Sequence, residues 1–138
     1  MFNCVLGVLA TILKCESNFL EIQIDESNIK TKSLLIAVGN GRFYGGGMLA
    51  VPDARIDDGL FDICLIENMG RLKILLLLPK YMKGRHGSIR EVHFHRGKRV
   101  EITPAKPIAM NIDGEIDMVS KAVFEIIPKG LKFIVPRD

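Results

Sequence analysis

Short apolar runs that alternate with polar residues recur along this chain, and they constrain its fold more than any other feature. Alternation with a period of two places successive side chains on opposite faces of a strand, so each run predicts a strand with one buried face. Glycine and proline separate the runs from residue 89 onward, which favours an antiparallel β-sandwich or barrel. The predicted strands of this kind are residues 19–25, 61–65, 92–95, 99–103, 109–112, 116–118, 123–127 and 131–135.

Three further segments complete the predicted architecture. Residues 33–38 form an uninterrupted apolar run, as expected of a strand with both faces covered. Residues 2–14 carry apolar side chains at spacings of three and four, which predicts an amphipathic helix. Residues 70–84 predict a second helix, with Gly84 placed to end it and Pro79 expected to kink it. We therefore predict a mainly β protein, an antiparallel β-sandwich with one or two helices, in a single domain over residues 1–138.

The composition excludes several classes of protein. A balance of 19 basic against 16 acidic residues gives a net charge of +3, too small to predict nucleic-acid binding. Cys4, Cys15 and Cys64 are odd in number and lack metal-binding spacing, so a reducing, cytoplasmic setting is expected. The apolar runs of this chain, such as residues 74–78, are far shorter than the ~20 residues of a membrane span. We expect no signal peptide at the start of the sequence.

An acidic turn is the first candidate for chemistry. Asp113-Gly114 lies between two predicted strands and is the dipeptide that type I′ hairpin turns favour, because both central residues need a positive φ. Such a turn usually has only a structural role. Glu115 beside Asp113 nevertheless places two carboxylates at a rigid tip, where one could accept a proton from a hydroxyl group.

A second acidic turn is the segment Arg55-Ile56-Asp57-Asp58-Gly59-Leu60. Its backbone carbonyls and carboxylates are the oxygen ligands that a hard cation prefers. An EF-hand loop counted from Asp53 would need glycine and glutamate where Asp58 and Cys64 stand, so that interpretation fails. A solvated turn before the strand at residue 61 remains the simpler interpretation.

Glycine clusters and a histidine pair are weaker candidates. The glycines of residues 39–41 and 45–47 lack the spacing of a phosphate-binding loop or a dinucleotide fingerprint, so tight turns or close packing are expected. His93 and His95 would share one face of a strand and could ligate a metal, but no third ligand is evident. We interpret them as exposed strand positions.

The order of several short motifs resembles a known family. They are Val38-Gly39-Asn40-Gly41, Tyr44-Gly45-Gly46-Gly47, Pro52-x-Ala54, Asp57-Asp58-Gly59-Leu60-x-Asp62, Gly84-x-His86 and Asp113-Gly114-Glu115. No single motif is decisive, but their order and spacing together are specific, and they extend over most of the chain. The chain resembles the C-terminal domain of bacterial diacylglycerol kinase-like lipid kinases, relatives of sphingosine and ceramide kinases in the NAD kinase superfamily.

The resemblance implies a two-domain enzyme that transfers phosphate from ATP to the hydroxyl of a lipid. In that family an N-terminal nucleotide-binding domain carries a Gly-Gly-Asp-Gly-Thr loop, and the C-terminal sandwich closes the cleft. No such loop occurs in this sequence, because the triplet 45–47 continues into Met48-Leu49. We therefore expect the N-terminal domain to be absent and this chain to be inactive alone, as a fragment, a split gene product or a degenerate relative.

The family's site residues are carried over by position. The catalytic base falls on Glu115, with Asp113 as its partner. A structural Mg²⁺ would be held by the Arg55 carbonyl, the Asp58 carboxylate and the Leu60 carbonyl, although the Arg55 side chain places a cation near the ion. The implied substrates are ATP and a diacylglycerol-like lipid, and the implied partner is the N-terminal domain.

Two rival functions remain open on the sequence alone. One is a non-catalytic lipid-binding or regulatory module, and the other is an NAD kinase-like enzyme, which a polar nucleoside pocket beside Asp113 would favour. The basic residues Lys80, Lys83 and Arg85 would favour peripheral contact with an anionic membrane, at the inner face. A homodimer is a further prediction.

Overall fold

The computed structural model describes residues 16–130, which form eight strands and one α-helix. The strands are β1 Asn18–Ile24, β2 Ser27–Gly39, β3 Phe61–Glu67, β4 Val92–Gly97, β5 Arg99–Pro104, β6 Ile108–Ile112, β7 Glu115–Val119 and β8 Ala122–Glu125. The helix α1 spans Arg71–Met82, and a 3₁₀ turn follows at His86–Ser88. The predicted helix at residues 2–14 and the predicted strand at 131–135 lie outside the described residues.

Six of the strands form one sheet in the order β4-β3-β2-β1-β5-β8, and all neighbours are antiparallel. Although β4 and β5 are consecutive in the chain, three strands separate them in the sheet. The sheet bends so that the end of β1 meets the connection between β4 and β5. There the carboxylate of Asp25 accepts hydrogen bonds from the backbone N–H groups of Lys98 (3.0 Å) and Arg99 (2.9 Å). A Cβ on Gly97 would lie 2.5 Å from Ile24 Cγ2, so only glycine permits this approach. The predicted antiparallel sandwich is confirmed.

The bent sheet has an apolar core on each face. The inner core comes from β1, β3 and β5 and contains Leu20, Ile22, Ile24, Ile63, Leu65, Val100 and Ile102. The outer core lies between β3, α1 and the loop before β3, and its buried members include Ala50, Ala54, Cys64, Ile74, Leu77 and Tyr81. β3 contributes buried residues to both cores, and it is the second strand from one edge of the sheet.

Two predicted burial patterns are therefore wrong. The strand at residues 61–65 was expected to expose alternate side chains, but Asp62 and Cys64 are both buried, and Cys64 belongs to the outer core beside α1. The strand at 33–38 was expected to have both faces covered, yet Leu35 is 42% exposed. Both differences arise because the cover of a strand comes from distant parts of the chain. Burial also raises the pKa of the Cys64 thiol to about 12, so this cysteine is an inert core residue.

His86 joins α1, β4 and the loop that contains Ala50. Its side chain is fully buried, and its Nε2–H donates a hydrogen bond to the Ala50 carbonyl at 3.0 Å. The ring packs against Tyr81 of α1 and Phe94 of β4, with centroid distances of 4.6 and 5.3 Å. Burial lowers the pKa of this histidine, which favours its neutral form in the folded protein.

Candidate functional site

The hairpin of β6 and β7 carries the acidic turn that the sequence singles out. Ile112 pairs with Glu115, which leaves Asp113-Gly114 as a two-residue connection. Asp113 has φ +49° and Gly114 has φ +102°, so the predicted positive-φ turn is confirmed. The Gly114 N–H also donates to Asn111 Oδ1 at 2.9 Å, which ties the turn to β6. The backbone that carries both carboxylates is thus fixed by local interactions.

Both carboxylates of the turn are exposed to solvent. Within residues 16–130, neither Asp113 nor Glu115 forms an ion pair or a side-chain hydrogen bond to its carboxylate. The hairpin is not part of the six-stranded sheet, and β6 contacts the inner core through Ile108. The tip therefore presents two acidic groups on a projecting support, and a second surface would be needed to enclose a substrate there.

The hairpin also exposes large apolar side chains beside the acidic tip. Ile112 is 51% exposed, Ile116 is 71% exposed and Met118 is 61% exposed. Ile112 is the direct cross-strand neighbour of Glu115. A two-stranded hairpin with uncovered apolar residues is marginally stable by itself, and exposed apolar surface of this kind commonly contacts a ligand or partner.

The second acidic turn precedes β3, and one of its carboxylates forms an ion pair with an arginine. Asp58 Oδ1 accepts a hydrogen bond from the Leu60 N–H at 3.0 Å, and Asp58 Oδ2 pairs with the guanidinium of Arg96 on β4. Arg96 Nε also contacts Asp62 Oδ1 at 3.0 Å. Burial raises the pKa of Asp62, and the charge of Arg96 opposes that effect. The exposed side chain of Arg55 pairs with Asp57 at 3.5 Å.

The oxygen atoms of this turn are of the type that magnesium prefers as ligands. The carbonyls of Arg55 and Leu60 and the carboxylate of Asp58 are hard ligands, and the buried Asp62 Oδ2 has no hydrogen-bond partner among the described residues. Residues 16–130 contain no cluster of three acidic, histidine or cysteine side chains that could hold a metal alone. An ion at Asp58 would therefore depend on carbonyl oxygens and water, and it would compete with Arg96 for the carboxylate.

This competition gives a first testable prediction. Arg96→Met should increase Mg²⁺ affinity, because it frees one oxygen of Asp58 and removes a positive charge from the turn. Isothermal titration of Mg²⁺ into the metal-free chain should give a dissociation constant at least threefold lower for the variant. Arg99→Met is the matched control, since Arg99 pairs with Glu101 on β5 instead. Equal affinity in all three proteins would contradict the assignment of the ion to Asp58.

The structure assigns the other sequence candidates to structural roles. Gly45, Gly46 and Gly47 have positive φ and form a closed turn, in which Tyr44 and Met48 exchange backbone hydrogen bonds of 2.8 and 2.9 Å. This confirms the expected tight turn. His93 is an exposed residue of β4, 3.6 Å from Glu67, and no metal-binding group includes it in the described part of the chain.

Sequence reasoning missed the roles of Arg96 and His86. Arg96 is 38 positions from Asp58 in the chain, and no local pattern connects them. His86 belongs to the motif Gly84-x-His86, which indicated the family but not a buried hydrogen bond to Ala50. The described residues bring Asp58, Asp62 and Arg96 together, but no hydrogen bond or ion pair joins them to the hairpin tip.

A comparison with family models decides the relationship. The model described as the YegS C-terminal NAD kinase beta sandwich-like domain matches residues 2–135. This chain belongs to that family. The matched range covers nearly the whole chain, so the bent sheet, α1 and the acidic hairpin together constitute the YegS-type C-terminal domain.

Relatives of this domain are parts of longer proteins. The diacylglycerol kinase of Mycobacterium tuberculosis (strain ATCC 25618 / H37Rv) is 36% identical over 99 residues, which cover 72% of this chain and 32% of that protein. A Shewanella frigidimarina (strain NCIMB 400) protein named probable lipid kinase YegS-like is 30% identical over 115 residues, covering 83% of this chain and 37% of that protein. The chain thus spans about a third of the length of these curated relatives.

The fold is also found in a solved structure. The crystal structure of a diacylglycerol kinase from Bacillus anthracis str. Sterne superposes with a TM-score of 0.69 at 22% sequence identity. The superposition covers 88% of this chain and 42% of that chain. At this identity the comparison shows that the YegS-type fold is shared.

Proposed function

We propose that this YegS-type domain is the C-terminal part of an ATP-dependent lipid kinase, and that its hairpin tip supplies the general base. The observation that carries the proposal is the rigid turn at Asp113-Gly114, which holds two exposed carboxylates on a projecting hairpin. Most catalysis of phosphoryl transfer comes from positioning and charge stabilisation, so a base is useful only where it reaches the attacking hydroxyl.

Glu115 is the proposed base, and Asp113 orients the hydroxyl. The hydroxyl oxygen of the lipid attacks the γ-phosphorus of ATP, and a new O–P bond forms. The bond from the γ-phosphorus to the β–γ bridging oxygen breaks, its electron pair leaves with ADP, and the hydroxyl proton moves to Glu115. Glu115 is the better candidate because it lies in the β-ladder opposite Ile112, which fixes its backbone.

A magnesium ion, when bound, would be held by the Arg55 and Leu60 carbonyls and the Asp58 carboxylate, and it would supply positive charge that fixes this turn. The chain's own residues stabilise the same turn through the Leu60 N–H and Arg96. The ATP-binding groups belong to the proposed N-terminal partner domain, so this chain is proposed to be inactive alone.

The surroundings of the tip favour a lipid acceptor over a nucleotide. Exposed Ile112, Ile116 and Met118 offer apolar contacts for acyl chains beside the turn. An NAD kinase-like enzyme would need hydrogen-bonding groups for a ribose and a base. The proposed acceptor is therefore the hydroxyl of a diacylglycerol-like lipid.

A chimera tests this proposal. This chain would replace the matched segment of the M. tuberculosis diacylglycerol kinase, so that the rest of that protein serves as the proposed nucleotide-binding part. With ATP labelled on the γ-phosphate, we expect label in diacylglycerol presented in mixed micelles and none in NAD. The unaltered relative, prepared identically, controls for the assay. Label in NAD but not in the lipid would favour the NAD kinase-like alternative and contradict the proposal.

A further inference from the structure

The positive charge of the chain is concentrated around α1. Residues 68–90 contain six basic residues and no aspartate or glutamate, whereas the other 115 residues contain 13 basic and 16 acidic residues. The six are Arg71, Lys73, Lys80, Lys83, Arg85 and Arg90. All six are exposed, and within residues 16–130 only Lys73 forms an ion pair, with Glu91. This segment is thus a cationic surface on a chain whose remainder is acidic.

The same surface exposes large apolar side chains. The helix α1 is apolar on both sides: Ile74, Leu77 and Tyr81 face the core, while Leu72 is 76% exposed and Leu76 is 67% exposed. Leu72, Leu76 and Lys80 follow one another at intervals of four residues, so they lie along one outward face of the helix. We name the exposed face formed by Leu72, Leu76, Lys80 and Lys83 the outer α1 face.

We propose that the outer α1 face is a membrane-binding surface that lies on anionic lipid. Exposed leucines flanked by lysine and arginine characterise helices that lie in the plane of a bilayer interface, where the leucines enter the boundary of the acyl chains and the cations contact phosphate groups. Within the described residues no helix is long and apolar enough to cross a membrane, so α1 would lie on the surface.

Charge complementarity favours anionic lipid, rather than a polypeptide segment, as the partner that covers the outer α1 face. Residues 2–14 of the same chain are apolar, but they contain Lys14 and no acidic residue, so they cannot neutralise the cations around α1. A second copy would bring the same cations together and would be repelled. An anionic bilayer satisfies both the leucines and the unpaired basic side chains. This inference goes beyond the proposed phosphoryl transfer, because it concerns a surface distinct from the hairpin tip.

Vesicle sedimentation of the full chain tests the inference without ATP or diacylglycerol, so a failure here is separate from a failure of the proposed catalysis. We expect binding to vesicles of phosphatidylcholine mixed with phosphatidylglycerol, little binding to phosphatidylcholine alone, and weakening at high salt. The double variant Lys80→Gln/Lys83→Gln should lose at least tenfold in partition coefficient, and Leu72→Ser/Leu76→Ser at least threefold. All four of these residues are exposed, so thermal melts should be unchanged.

Matched controls use equally exposed residues elsewhere. Lys98→Gln/Lys106→Gln removes the same charge, and Ile56→Ser/Ile127→Ser removes apolar side chains that are 72% and 78% exposed. Both controls should bind as the unaltered chain does. The inference is overturned if the unaltered chain does not bind anionic vesicles, or if the α1 variants and the controls bind equally. It is also overturned if the chain is dimeric on size exclusion, does not bind vesicles, and becomes monomeric with Leu72→Ser/Leu76→Ser.

Discussion

Glu115→Gln should lower kcat of the chimeric lipid kinase by about 10²- to 10⁴-fold, the contribution that a positioned general base makes. The substitution keeps the size of the side chain and the strand position opposite Ile112, so the hairpin should be preserved. KM for the lipid should change little, because the base acts on the hydroxyl as it attacks. The measurement is the initial rate of diacylglycerol phosphorylation at saturating ATP.

Two further variants make this result interpretable. Asp113→Asn keeps the turn, because asparagine also favours the positive φ of this position, and it should cause a smaller loss than Glu115→Gln. Glu26→Gln is the matched control, since Glu26 is an exposed glutamate in the turn between β1 and β2. If Glu115→Gln retained the rate of the unaltered chimera, the assignment of the base would be wrong.

His86→Ala should lower the free energy of unfolding by about 2–4 kcal/mol, because it leaves a cavity between Tyr81 and Phe94 and removes the hydrogen bond to the Ala50 carbonyl. Urea denaturation of the chain measures this loss. His93→Ala is the control, since His93 is exposed on β4 and, among residues 16–130, forms an ion pair only with Glu67, at 3.6 Å. A change in His86→Ala no larger than that in His93→Ala would contradict the structural role of His86.

The same histidine makes stability depend on pH in a defined direction. Because burial lowers the pKa of His86 in the folded state, protons bind the unfolded chain more readily. Neutral His86 contributes fully to the free energy of unfolding above the pKa of histidine in the unfolded chain, about 6.5. This contribution is lost as the pH falls below that value. His86→Gln, which keeps an N–H donor and does not titrate, should therefore lose less stability than the unaltered chain between neutral and acidic pH.

Local patterns predicted the elements that depend on neighbours in the chain. The alternation at residues 19–25 indicated β1, and Asp113-Gly114 indicated the positive-φ turn that the structure contains. Gly84, with φ +67°, follows α1 as expected. The first half of β2 was missed, because residues 27–32 are mostly polar and include Ile29 as their only large apolar side chain.

Features that depend on distant residues could not be predicted in this way. The burial of β3 on its second face requires α1 and the loop containing Ala50 to pack over Cys64. The pairing of Asp58 with Arg96 requires β3 and β4 to be neighbours. The sequence therefore indicated both acidic turns as candidate sites. The ion pair between Arg96 and one of these turns depends on the fold and could not be predicted from local patterns.

The acceptor assay tests the central claim most directly when three samples are compared: this chain alone, the chimera with the proposed nucleotide-binding part of the M. tuberculosis relative, and that part alone. The proposed function predicts phosphorylation of diacylglycerol by the chimera and none by either part. Phosphorylation by the nucleotide-binding part alone, at the rate of the chimera, would show that the hairpin tip of this chain supplies no base and would contradict the claim.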